Sequence, residues 1–230
     1  DVLPTIRSRC RHLQLRTPSI DAVTQVLIKR DNISPMMADF AARVSQAHIG
    51  RAKYLATNEN VRSNRKVIMQ LPLQLGSLAA AFQAAQTLIN LATEEASASS
   101  ESRDEKEIEI LQEAYGKGAT GRGVATGAAK AVKELEKDQK SRATRMIRDS
   151  IDGALLDIAT FFRDVMMVQA GSTDSLINTD MTEEITAYAH KTTPHSTVRK
   201  VNAIMKARTH LSHNAAPLLT CEALMCQIAN

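Results

Sequence analysis

The sequence predicts an all-α chain in which a small three-helix module precedes a larger helical bundle. Composition gives the first reason. Leu, Ile, Val, Met and Ala dominate the apolar residues, and the 230 residues include only four Phe, three Tyr, no Trp and nine Gly, a mixture that favours helices. The second reason is spacing, because apolar residues recur three and four positions apart along most of the chain. The third is punctuation: Ser19, and Ser34 followed by Pro35, stand where helices start.

The first element expected is a short amphipathic helix over residues 20–30. Ser19 precedes Ile20, Val23 and Leu27, and Asp21 suits the positive end of the helix dipole. Ser34 and Pro35 open a second helix whose buried stripe is read as Met36 or Met37, Phe40 and Val44. Gly50 is read as separating it from a third, RAKYLATNE, which buries Ala52 and Leu55. Residues 61–93 form a longer helical stretch, broken between Leu71 and Gly76 where Pro72 removes a donor and restricts Leu71. After that break LAAAFQAAQTLINLA is apolar nearly all round, so its helix is buried on more than one side.

The composition then shifts. EEASASSESRDEKE is small, polar and acidic, and residues 94–106 are expected to be a mobile loop or the frayed edge of the next helix. GKGATGRG has Gly116 and Gly121 at the spacing of a phosphate-binding loop. However, Arg122 stands in place of the lysine, Gly123 replaces the hydroxyl, and a helical EIEILQEAY precedes it instead of a strand. This excludes a nucleotide cradle and leaves a hinge between charged helices. AAKAVKELEKDQKSRATRMIRD reads as a long, largely exposed helix at its start. IRDSIDGALLDIATFFRDVMMVQA, residues 147–170, is strongly apolar with Arg163 and Asp164 embedded in it. Such a pair must lie at the edge of the apolar face or be satisfied by partners. The end of the chain reads as two helices joined by HNAAP, with Asn214 and Pro217 as breakers.

Charge divides the chain. Residues 1–57 carry nine Lys and Arg against four acids, whereas the remainder is close to neutral. A basic patch is therefore expected in the first quarter, where Arg7, Arg9 and Arg11 crowd into TIRSRCRHLQL. Arginine presents a permanently charged planar fork suited to phosphate or carboxylate. Cys10, Cys221 and Cys226 cannot all pair within one molecule, and the last two stand about 140° apart on a helix. They read as reduced structural thiols. His210 and His213 share a helix face without a third or fourth ligand nearby, so no metal site is expected. No run of 18 apolar residues exists, which argues against a membrane span and for a soluble cytoplasmic chain.

Four segments, in order, resemble the delta-prime family of bacterial DNA polymerase III clamp-loader subunits. LPTIRSRC resembles the SRC motif that follows the sensor-1 segment of these AAA+ proteins. SQAHIGRAKYLA resembles the end of the small AAA+ lid, and FFRDVMMVQAGSTDSLINTD and LSHNAAPLLTCEALM resemble parts of the helical collar that joins the subunits. The resemblance implies the end of the AAA+ core with the lid over residues 1–57. It implies a collar over 58–230 with a charged, flexible insertion near 94–146.

In that family the SRC arginine is an arginine finger, a role that falls on Arg9 with Ser8 and Cys10 beside it. Phosphoryl transfer gathers negative charge on equatorial oxygens, and a guanidinium supplied from a neighbour stabilises it. Arg51 matches the sensor-2 position, the one candidate nucleotide contact. No P-loop or zinc-ribbon cysteine set is present, so the resemblance implies a lid-and-collar fragment with no cofactor or ATP hydrolysis of its own, ATP belonging to the assembled loader. The implied partners are the gamma/tau and delta subunits, the sliding clamp and primed DNA. A gamma/tau motor subunit and an unrelated helical adaptor remain as alternatives.

Overall fold

The computed structural model describes residues 3–11, 13, 16–115, 122–173 and 175–230. Among them are ten α-helices, two 3₁₀ turns and no strand, so the fold is all-α. The chain divides into two compact units, residues 1–62 and 63–230.

The smaller unit begins with a single helical turn, α1 (Pro4–Arg7), followed by α2 (Ile20–Asp31), α3 (Pro35–Val44) and α4 (Ile49–Thr57). Ser19 caps α2, its hydroxyl accepting from the Ala22 N–H at 3.1 Å, and Asn32 ends the helix in the left-handed conformation at φ 54°. The core is Val23, Leu27, Ala38, Ala41, Ala42, Val44, Ala47, Ala52 and Leu55. Alanine dominates it, which lets the three helices approach closely. Lys53 reaches Asp31 at 2.6 Å and Arg30 reaches it at 2.9 Å, and these two cations hold the Asp31 carboxyl below the usual carboxylate range.

Three expectations change here. Met36 is 86% exposed, because the buried stripe of α3 runs through its alanines with Val44, and Phe40 is only partly buried. Ser34 occupies the cap position of α3 without a side-chain bond. Gly50 lies inside α4, whose cap is His48: the ring Nδ1 accepts from the Arg51 N–H at 3.1 Å.

Helix α5 (Glu59–Gln70) starts before the boundary at residue 62, and the larger unit holds the rest of it and a 3₁₀ turn at Leu71–Leu73 that contains Pro72, where the break was expected. Then come two long helices, α6 (Leu78–Ala114) and α7 (Arg122–Gln169). A second 3₁₀ turn (Thr179–Met181), α8 (Thr182–Lys191), α9 (Pro194–Ser212) and α10 (Pro217–Ala229) complete it. Helix α6 packs on α7 and α10, α7 also packs on α8 and α9, and α9 packs on α10. Their shared core includes Ala85 and Leu88 of α6, Leu155 and Ile158 of α7, Ile204 of α9 and Met225 of α10. Phe161, Phe162 and Tyr188 form an edge-on triad with ring centres 5.3 to 5.8 Å apart. Lys200 ties α9 to the chain end and to α8, donating to the Ile228 carbonyl at 2.6 Å and to the Tyr188 hydroxyl at 3.2 Å.

Residues 94–106 are not a loop: α6 runs unbroken through them. Ala, Glu, Lys and Arg are strong helix formers, and the segment has a partner throughout. Ser150 donates to Glu95 at 2.5 Å, Gln139 donates to the Asp104 carbonyl at 3.0 Å, and Arg142 forks onto Glu107 at 2.7 and 2.9 Å. The shared core holds no described residue between 93 and 146. The outer halves of α6 and α7 thus form an antiparallel arm beyond the bundle. The expected hinge at residues 116–121 lies outside the described residues, whereas Arg122 and Gly123 already belong to α7.

Candidate functional site

The arginine cluster sits on the turn that follows α1. Pro4 starts the helical turn, the Ser8 hydroxyl donates back to the Thr5 carbonyl at 3.1 Å, and the Arg9 N–H donates to the Ile6 carbonyl at 3.0 Å. Residues 3–11 are all exposed, Arg7, Arg9, Cys10 and Arg11 included. The backbone of Arg9 is therefore fixed by local bonds while its guanidinium faces solvent.

Arg51 is placed differently. It lies in the first turn of α4, half-buried, with its backbone N–H held by the His48 ring. Ser8, Arg9 and Cys10 thus share one turn, and Arg51 belongs to a separate helix of the same unit. His210 and His213 close the end of α9, and the described residues contain no group of three or more potential metal ligands.

A polar network inside the larger unit escaped the sequence reading. Arg65, 3% exposed, projects from α5, donating through Nε to Asp157 Oδ1 at 3.2 Å and through Nη2 to Asn178 Oδ1. The Asn178 amide nitrogen donates in turn to Thr160 Oγ1 at 3.2 Å and to Asp164 Oδ2 at 2.9 Å. Asp164, wholly buried, also receives the backbone N–H groups of Ile177 and Asn178 and the Arg163 guanidinium at 2.7 Å. Arg163 reaches on to the Ser175 carbonyl at 2.6 Å. The network pins the segment after α7 onto the C-terminal third of that helix and onto α5. Buried charges are tolerable when paired and hydrogen-bonded in this way, so the role is architectural. Only its Arg163–Asp164 part was visible in sequence, as a charged pair within an apolar run.

The outer surface of the bundle carries apolar side chains. Leu78 and Phe82 on α6 are 62% and 43% exposed, and Leu219 on the neighbouring α10 is 67% exposed. Exposed apolar groups on packed helices suit docking to other proteins.

The described helices define a class: an all-helical protein with an outward-facing arginine turn in one unit and a bundle with apolar surface in the other. Residues 137–228, which span most of α7, all of α8 and α9, and α10 but for its last residue, match the family described as DNA polymerase III, delta subunit, C terminal. The match covers 92 of the 230 residues and is a similarity to a subunit family of DNA polymerase III. No curated protein and no solved structure matches the chain. Among the described residues, no helix is long and apolar enough to cross a membrane.

Proposed function

We propose that the chain is the lid-and-collar part of a delta-prime subunit of the DNA polymerase III clamp loader. The larger unit serves as the collar through which the gamma/tau and delta subunits assemble, and residues 1–57 hold the end of the AAA+ core and the lid. The observation that carries this reading is the family match over residues 137–228, which covers α8, α9, nearly all of α10 and most of α7. The matched family is described by the delta subunit, and the preference for delta-prime over gamma/tau rests on FFRDVMMVQAG, which resembles that subunit's collar more closely, since the SRC motif at Ser8, Arg9 and Cys10 is shared with gamma/tau.

Arg9 acts on a neighbour's ATP, not on one bound by this chain. Its exposed guanidinium, on a backbone fixed by the Arg9 N–H to Ile6 bond, meets what a group supplied in trans requires. It stabilises charge that develops on the transferring phosphoryl group, and ATP turnover in the assembled loader then drives clamp placement on primed DNA. Arg51 is the weaker candidate for a nucleotide contact.

The test is ATPase turnover of a loader reconstituted from full-length subunits with clamp and primed DNA, comparing wild type with Arg9→Ala. The expected result is a loss of turnover of about 10³-fold or more, the range of other trans-acting arginines, with assembly intact. Unchanged turnover in an assembled complex would remove the finger role. Failure of the wild-type chain to assemble would remove the clamp-loader reading itself.

A further inference from the structure

The near-neutral charge of the C-terminal part conceals a segregation that the arm makes visible. From residue 101 to 114 α6 carries six acids (Glu101, Asp104, Glu105, Glu107, Glu109, Glu113) against Arg103 and Lys106. Facing it, residues 130–148 of α7 carry seven cations against three acids. Arg142 turns towards α6, where it is bonded to Glu107. Lys130, Lys133, Lys137 and Lys140 are all exposed, and Gln139, between the last two, is buried towards α6.

At 100° per residue these four lysines fall within an arc of about 80° on the side of α7 turned away from α6. Glu134 and Glu136 border the stripe, and Asp138 lies further round. The stripe spans about 15 Å of helix axis. Arg148 continues it along α7, and with Arg145 it lines a groove between α7 and α9. There Arg208 is paired with Asp152 at 2.7 Å and Arg148 donates to Asn214.

We infer that the outward face of the arm, centred on Lys130, Lys133, Lys137 and Lys140, is a sequence-independent contact surface for the phosphate backbone of duplex DNA. The chemistry favours this occupant in three ways. Lysines are flexible point charges without the fork geometry that selects a single carboxylate, which suits a run of equivalent phosphates. A straight stripe of about 15 Å is long enough to lie against several phosphates of a duplex, whose charge is dense along its axis. No aromatic residue occurs between 122 and 160, so the face has no platform on which bases of a single strand could stack. Duplex DNA also supplies condensed counterions whose release drives binding, whereas isolated surface ion pairs with an acidic protein contribute little. The surface is additional to the arginine turn and does not depend on the clamp-loader reading.

The experiment is fluorescence anisotropy of the whole chain with a labelled 20-base-pair duplex of arbitrary sequence, titrated between 25 and 200 mM KCl. Wild type is compared with the quadruple variant Lys130→Gln, Lys133→Gln, Lys137→Gln, Lys140→Gln. Four phosphate contacts predict that the slope of log affinity against log salt is shallower in the variant by about 3.6, and that single Lys137→Gln makes it shallower by about 0.9. The single change keeps the test informative if the quadruple variant loses helicity. Arg7→Gln, Arg9→Gln, Arg11→Gln is expected to keep the stripe's contribution in full. Equal slopes for wild type and lysine variants would overturn the inference. So would binding of polyglutamate without binding of duplex, which would assign the face to an acidic protein. No partner subunit enters the assay, so its outcome is separate from that of the loader reconstitution.

Discussion

Asp164 and Asn178 are both wholly buried and are joined twice: Asp164 Oδ2 accepts the Asn178 backbone N–H at 2.8 Å and its side-chain amide at 2.9 Å. The pair closes the segment after α7 back onto that helix. Removing the carboxylate strands three donors and the Arg163 guanidinium, so Asp164→Ala is expected to destabilise the larger unit by about 3–5 kcal/mol. Asn178→Ala removes an overlapping set of bonds, and the double variant should fall well short of the sum of the two. Urea unfolding followed by far-UV circular dichroism reads both effects. Additive losses would mean that the two residues act independently.

The Glu107–Arg142 bridge makes the arm acid-sensitive. Hydrogen bonds from Arg142 and then from Gln139 hold the Glu107 carboxyl below its ordinary value. A carboxyl depressed in the folded chain contributes its stabilisation fully above the unfolded pKa, and that contribution is lost as pH falls through the folded value. Amide protection of residues 103–114, corrected for intrinsic exchange, should therefore drop below about pH 4, relative to residues 81–92. Glu107→Gln should show no such step, and an identical step in the variant would locate the acid response elsewhere.

Thiol chemistry separates the three cysteines. Cys221 is wholly buried, and burial pushes its thiol up to about 12, whereas Cys10 is exposed on the arginine turn. At pH 8 Cys221 holds about one part in ten thousand as thiolate, the nucleophilic form. A disulfide reagent should consume Cys10 promptly and reach Cys221 only after denaturant is added. Cys10→Ser should lower the prompt amplitude by one thiol, Cys226 being only partly buried, and a prompt phase of full amplitude in that variant would contradict the exposures.

Two serines that look alike in sequence should differ on substitution. Ser19→Ala removes the bond to the Ala22 N–H and should cost about 1 kcal/mol. Ser34 makes no side-chain cap bond, so Ser34→Ala should change stability by a few tenths at most. Thermal melts of the two variants measure the difference directly, and equal losses would put a cap bond on Ser34 in solution.

Much of the fold was legible because helix signals are local. Ser19 with Asp21, Pro72, and Asn214 with Pro217 each act within a few residues, and each marks a boundary in the structure. The misreadings arose where a distant partner decides. The small, polar stretch of residues 94–106 resembles a loop until α7 supplies Gln139, Arg142 and Ser150 against it. Met36 or Met37 fits the core by spacing, but the alanines of α3 bury a closer contact and leave Met36 exposed and Met37 half-buried. Arg65 and Asn178 are 113 residues apart and meet only in the folded unit, so neither carried a signal. On the candidate site, the exposed arginine turn was legible from charge and from the SRC motif. The arm's charge segregation was hidden because the opposing charges of α6 and α7 cancel when residues 58–230 are counted together.

Helix α7 is one continuous rod of 48 residues, about 72 Å long, seated at one end by Phe161 and Phe162 and free of the shared core at the other. It is therefore a lever. From Ile147, where the bundle's hold ends, to Arg122 the axis runs about 38 Å, so a tilt of about 5° at the seat moves the far end by about 3 Å. A shift too small to disturb the packing of α8 and α9 is magnified by length alone. The same rod carries it the other way: a load on the outer end acts on the aromatic seat with the leverage of its whole length.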